Sequence, residues 1–89
     1  MSLLRETAPT REEFIEAVKA DFLRSFPQYT EEQFNEMLNS NDGQDFINDG
    51  YNSNLAEFEG KMPHHPKITR KQFLEAGASA VVYNFYMWF

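Results

Sequence analysis

Three short stretches of this chain share one pattern, and it constrains the fold more than any other feature of the sequence. PKITRKQFLE (66–75) and PQYTEEQFNE (27–36) both read proline, one residue, an apolar residue, Thr, two charges, then Gln-Phe-x-Glu. A shorter relative, PTREEFIEA, begins at Pro9. Thr10, Thr30 and Thr69 are each followed three residues later by Glu13, Gln33 and Gln72. That is the spacing of a capping box. The Thr hydroxyl accepts a hydrogen bond from the third amide of a helix, and the Glu or Gln side chain accepts one from the Thr amide. In two copies an apolar residue precedes the Thr (Tyr29, Ile68) and Phe fills the fourth helical position (Phe34, Phe73). Such a pair staples the incoming chain to the helix. Pro9, Pro27 and Pro66 disfavour helix in the residue before them. The repeat therefore marks three helix starts, not a repeated binding motif.

Periodicity fills in the helices between these starts. Over 11–25, Phe14, Ile15, Val18 and Phe22 recur every three or four residues and continue to Phe26, which makes one apolar stripe. A short helix over 31–39 turns Phe34, Met37 and Leu38 inward. Residues 39–54 are rich in Asn, Asp and Gly, a loop-like composition. Yet Phe46, Ile47, Tyr51, Leu55 and Phe58 share a helical stripe with Gly50. The spacing predicts a helix over 43–59, capped by Asp42 with Asp45 at its third position. A β-hairpin about Asp49 and Gly50 is the rival, but its flanks lack alternation and β-branched residues. Gly50 costs such a helix roughly 1 kcal/mol relative to Ala unless a neighbour packs closely against it. The last helix spans 70–88. Its second half, AVVYNFYMWF, is apolar nearly all round, which predicts burial on several sides and a central place in the bundle. Gly77, Ala78 and Ala80 offer a small-residue face for close helix approach. The expected fold is an all-α, small four-helix domain with a central hydrophobic C-terminal helix.

Eighty-nine residues make one domain, 1–89, with residues 1–9 expected to be flexible. A chain of this size buries only about 60–65% of the surface its unfolded form exposes. Nine Phe, four Tyr and one Trp supply much core area per residue. The N-terminal MSLLRETAPT lacks the apolar core of a signal peptide, and no apolar run approaches the ~20 residues a bilayer span needs. The expectation is a cytoplasmic protein with no membrane partner.

Several chemistries fail on residue type or spacing. Without cysteine there is no thiolate nucleophile and no Cys-based zinc site. NSNDGQDFINDG invites a calcium-loop reading, but taking Gly50 as the sixth position puts Ile47 third and Ala56 twelfth, and taking Gly43 puts Leu38 first. His64 and His65 are the only imidazoles, adjacent in a Pro-flanked connector, and no helical His pair exists. The serines lack a nucleophile-elbow context, and the glycines are isolated, so no phosphate loop is present. Paired carboxylates such as Glu12-Glu13 and Glu31-Glu32 sit in helix first turns, where they suit the helix dipole. The sequence thus predicts no enzyme, no cofactor and no metal.

Charge narrows the partners. Residues 1–60 hold thirteen acids and four bases, whereas 61–89 hold four bases (Lys61, Lys67, Arg70, Lys71) and one acid. A net charge of −6 argues against general nucleic-acid binding, where affinity comes mainly from neutralised phosphates. A helix-turn-helix fails too, because Asp42, Asp45 and Asp49 occupy the would-be recognition helix. Two surfaces remain as candidates. One is an acidic face of Glu12, Glu13, Glu16, Glu31, Glu32 and Glu36, suited to a basic partner. The other is the aromatic end of the last helix, Tyr83, Tyr86, Met87, Trp88 and Phe89, suited to oligomer contact. These features predict a small non-enzymatic protein–protein interaction or adaptor domain. The alternatives are an acidic inhibitor or nucleic-acid mimic of phage or mobile-element type, and a homodimer subunit assembled through the aromatic helix.

Overall fold

The structure, a computed structural model, describes residues 7–89. Four helices follow in chain order: α1 (Arg11–Ser25), α2 (Glu31–Asn39), α3 (Asn41–Phe58) and α4. The last comprises Arg70–Gln72, a π-helical turn at Phe73–Gly77, and Ala78–Trp88 without interruption. Among the described residues there is no strand. The expected flexibility of 1–9 falls mostly on residues 1–6, outside the described ones. Pro9, by contrast, is buried, and its carbonyl accepts a hydrogen bond from the Tyr51 hydroxyl at 2.7 Å.

All three capping boxes form in full. The Thr10, Thr30 and Thr69 hydroxyls each accept from the third helical amide at 3.1 Å, and Glu13, Gln33 and Gln72 return the bond at 2.8–2.9 Å. The staple at α2 works through a third ring: Tyr29 and Phe34 both pack against Phe22 of α1.

The start of α3 departs from expectation. Ser40, not Asp42, is its N-cap, and the same residue closes α2. The Ser40 hydroxyl donates to the Met37 carbonyl at 2.6 Å and accepts from the Gly43 amide at 3.1 Å. One side chain thus satisfies an orphan group of each helix, and no loop separates them. Gly43 is required by this junction, since a Cβ there would lie 1.9 Å from the Met37 carbonyl oxygen. At its other end α3 closes with Gly60 at φ 73°, where the Gly60 and Lys61 amides donate to the carbonyls of Glu57 and Ala56. That is a Schellman ending, which favours glycine because the left-handed position penalises a side chain.

The core runs along one face of α4. Phe73, Ala78, Val81, Val82 and Phe85 are buried together with Phe14, Val18 and Phe22 of α1, Phe34 of α2 and Ile47 of α3. Helix α1 lies parallel to α4, with Phe14 against Phe73, Phe22 against Phe85 and Phe26 against Tyr86. Helix α3 lies antiparallel, with Phe58 at Phe73 and Phe46 at Phe85 and Trp88. Close approach happens at two glycines. A Cβ on Gly50 would meet Val81 at 2.4 Å, and one on Gly77 would meet the Asn54 amide at 2.7 Å. The small-residue face is therefore Gly77 and Ala78, both buried, while Ala80 points to solvent.

Phe85 also stacks on Phe34 of α2, so α4 touches all three other helices. Its burial is nevertheless one-sided, against the expectation from its all-round apolar composition. Tyr83, Tyr86, Met87, Trp88 and Phe89 remain exposed. The reason is geometric: α1, α2 and α3 cover one side of α4, and among the described residues no element covers the other.

Candidate interaction surface

The exposed end of α4 is built on the same helix that anchors the core, so its side chains are fixed from beneath. Phe85 is fully buried, and Phe89 packs one turn beyond it with ring centroids 5.6 Å apart. Tyr86 stacks on Phe26 at 4.5 Å with the rings nearly parallel. Trp88 sits edge-on to Phe46 of α3 at 6.0 Å, and its indole Nε1–H donates to the Asp42 carboxylate at 2.9 Å. Each of these three rings is held by a second side chain. Tyr83 and Met87 lack such a ring partner and are each 63% exposed. None of the side chains over 76–89 is charged.

Carboxylates border it. Asp42, on the first turn of α3, lies beside the Trp88 ring. Glu36 of α2, with Gln33 and Met37, lines a cleft of about 380 Å³ whose remaining wall is Phe89. The α4 carbonyls at this end carry the negative pole of the helix dipole, and no basic residue occupies the last turn.

Sequence reasoning singled out all five side chains at the end of α4, and the structure leaves all five exposed. It did not foresee that Asp42 would border them, because Asp42 read as a helix cap. Released from that role, Asp42 instead holds Trp88. Phe26 and Phe46 read as core; they turn out to be half-buried supports for the exposed rings.

The six acids of the other candidate face do not act as one group. Glu13 belongs to a capping box and also pairs with Arg70 of α4. The Thr10 amide, and after it Arg70, holds the Glu13 carboxyl below the usual carboxylate range. Glu31 pairs with Lys19 at 2.6 Å, which raises the Lys19 ammonium above its ordinary value. Glu12, Glu16, Glu32 and Glu36 are exposed and have no ion-pair partner among the described residues.

The basic segment lies at the opposite end of α4. Arg70 is engaged by Glu13 and Lys61 by Glu59 at 3.0 Å, while Lys67 and Lys71 have no carboxylate partner among the described residues. His65 faces Glu57 at 3.9 Å, and His64 occupies a left-handed turn position at φ 67°. Among the described residues no three metal-ligating side chains converge, and no helix is long and apolar enough to cross a membrane. No protein-family model, no curated protein and no solved structure matches the chain.

Proposed function

We propose that this chain is a non-enzymatic protein–protein interaction module of the cytoplasm that binds through the aromatic end of α4. One observation carries the reading: five large apolar side chains stand exposed within the last two turns of a helix whose inner face is locked into the core. Contiguous apolar patches on small soluble domains mark interaction sites, and Trp and Tyr are the residues most enriched at binding hot spots. The rings are pre-organised by Phe26, Phe46 and Phe85, so little ordering remains to oppose association.

The alternatives fit less well. A nucleic-acid mimic needs a dense array of free carboxylates, and Glu13 and Glu31 are engaged internally. A homodimer pairing the two patches would bring the Glu36 and Asp42 borders of both copies to one interface. The test is a quantitative comparison of proteins retained from the native cell by the full chain and by a Tyr83→Ala/Trp88→Ala variant. Loss of a specific protein with the variant is expected. Identical retention by both would overturn the reading, as would turnover of any substrate at ordinary enzyme rates.

A further inference from the structure

From the surroundings of the patch we infer that its occupant is a basic amphipathic segment, with apolar side chains on one face and Lys or Arg along the borders. The inference rests on the aromatic end of α4 being an interaction surface at all.

Two independent features select positive charge. The first is the border itself. Asp42 on one side, at Trp88, and Glu36 on the other, at Phe89, flank an aromatic surface whose own side chains are uncharged, and neither has an ion-pair partner among the described residues. The negative pole of α4 emerges between them, uncompensated by any base in its last turn. The second is the rings. Exposed Trp and Tyr faces attract Arg and Lys through their quadrupoles, and Trp does so best. Trp88 has its N–H directed at Asp42, so a guanidinium placed over the indole would also lie near that carboxylate.

Apolar anchors are selected too. Tyr83 and Met87, the two most exposed of the five, offer surface to a partner. The cleft between Phe89 and Met37 is about 380 Å³, room for a side chain rather than a cofactor. A helix laid along this end would present its apolar residues three and four apart to the rings, with its bases outward to the carboxylates. A second copy of the chain fits worse at this end, because its own patch carries the same border of like charge. An acidic segment would meet repulsion on both sides.

The single tryptophan of the chain, Trp88, lies in the patch and serves as the reporter. The full chain is titrated with three synthetic peptides: Leu on one helical face with Lys and Arg on the other, the same apolar face with Glu, and the basic composition scrambled. The basic amphipathic peptide is expected to shift Trp88 emission to the blue, with an affinity that falls as salt rises. Replacing Glu36→Gln and Asp42→Asn together should weaken it by about tenfold, whereas Glu12→Gln and Glu75→Gln together, the same loss of two charges at the other end of the molecule, should not. Equal binding of the Glu peptide, or of the scrambled one, overturns the inference while the interaction surface stands. Self-association in sedimentation equilibrium that buries Trp88 and excludes the peptides overturns it in favour of a second copy. If a monomeric protein binds none of the three, the inference falls as well. Retention by the Tyr83→Ala/Trp88→Ala variant then decides separately whether the aromatic end binds any protein.

Discussion

Thr30 carries a disproportionate part of α2, because that helix has only nine residues and isolated helices shorter than about 12–15 are marginal in water. Its hydroxyl supplies the Gln33 amide with a partner, and the returning bond from Gln33 fixes the entry angle. Thr30→Ala should lower unfolding free energy by about 1 kcal/mol in urea denaturation, and Thr30→Ser by much less. Equal losses for the two would remove the cap from the explanation. Glu13 makes a different kind of contribution, because its carboxylate both completes a cap and pairs with Arg70. Its carboxyl is held below the usual range in the folded chain, first by the Thr10 amide and then by Arg70. A depressed carboxylate stabilises the fold fully above its unfolded value, about pH 4.3, and loses that contribution as pH falls through the lowered value. Glu13→Gln keeps the capping geometry, as Gln33 and Gln72 do in their own boxes, but removes the titration. Stability of the two proteins, followed against pH, should therefore differ most near neutrality and converge in acid. A constant offset down through the acid range would show that Glu13 does not act through its charge.

Helix junctions and glycine contacts decide how α2, α3 and α4 fit, and this is where local sequence stops being informative. The capping boxes were legible because each is complete within four residues. Helix α3 was legible through Phe46, Ile47, Tyr51, Leu55 and Phe58, all of which pack on or in the core despite a loop-like composition. Ser40 was not, since one hydroxyl serving two helices reads like ordinary turn chemistry. The π-helical turn at Phe73–Gly77 left no local mark either. Of the four glycines, two test the packing directly. At Gly43 an added Cβ meets backbone, the Met37 carbonyl, so neither partner can yield without parting α2 from α3. At Gly50 it meets Val81 Cγ2, a side chain rather than backbone though one buried in the core, and Ala also brings about 1 kcal/mol of helix propensity. Gly43→Ala should cost about 3 kcal/mol, and Gly50→Ala distinctly less. Thermal unfolding of the two variants side by side checks the order; the reverse order would place the tight contact at Val81 instead.

Across the whole molecule, α4 joins a basic end to an aromatic end bordered by acids. The split in charge was legible in the sequence, because the last 29 residues hold half the bases and a single acid. Its relation to the candidate site was not, since Glu36 and Asp42 reach the end of α4 only through the α2–α3 junction and the antiparallel run of α3. Exposure of the aromatic end was equally hidden. A run of apolar residues does not reveal how many sides its neighbours cover, and AVVYNFYMWF would suit a fully enclosed helix as well. Removing Met87–Phe89 separates the structural from the binding role of this end. The deletion takes away the Phe46–Trp88 and Phe85–Phe89 contacts, each worth roughly 1 kcal/mol beyond burial, but leaves Phe73 through Phe85 in place. The shortened chain should keep its helical circular dichroism and a cooperative unfolding transition, with stability lower by about 2 kcal/mol, and should no longer bind through this end. An unfolded product would instead make the last turn of α4 part of the core. Were binding retained by a folded product, the contact would have to pass to Tyr83 and Tyr86 alone, and the border at Asp42 would lose the indole it holds.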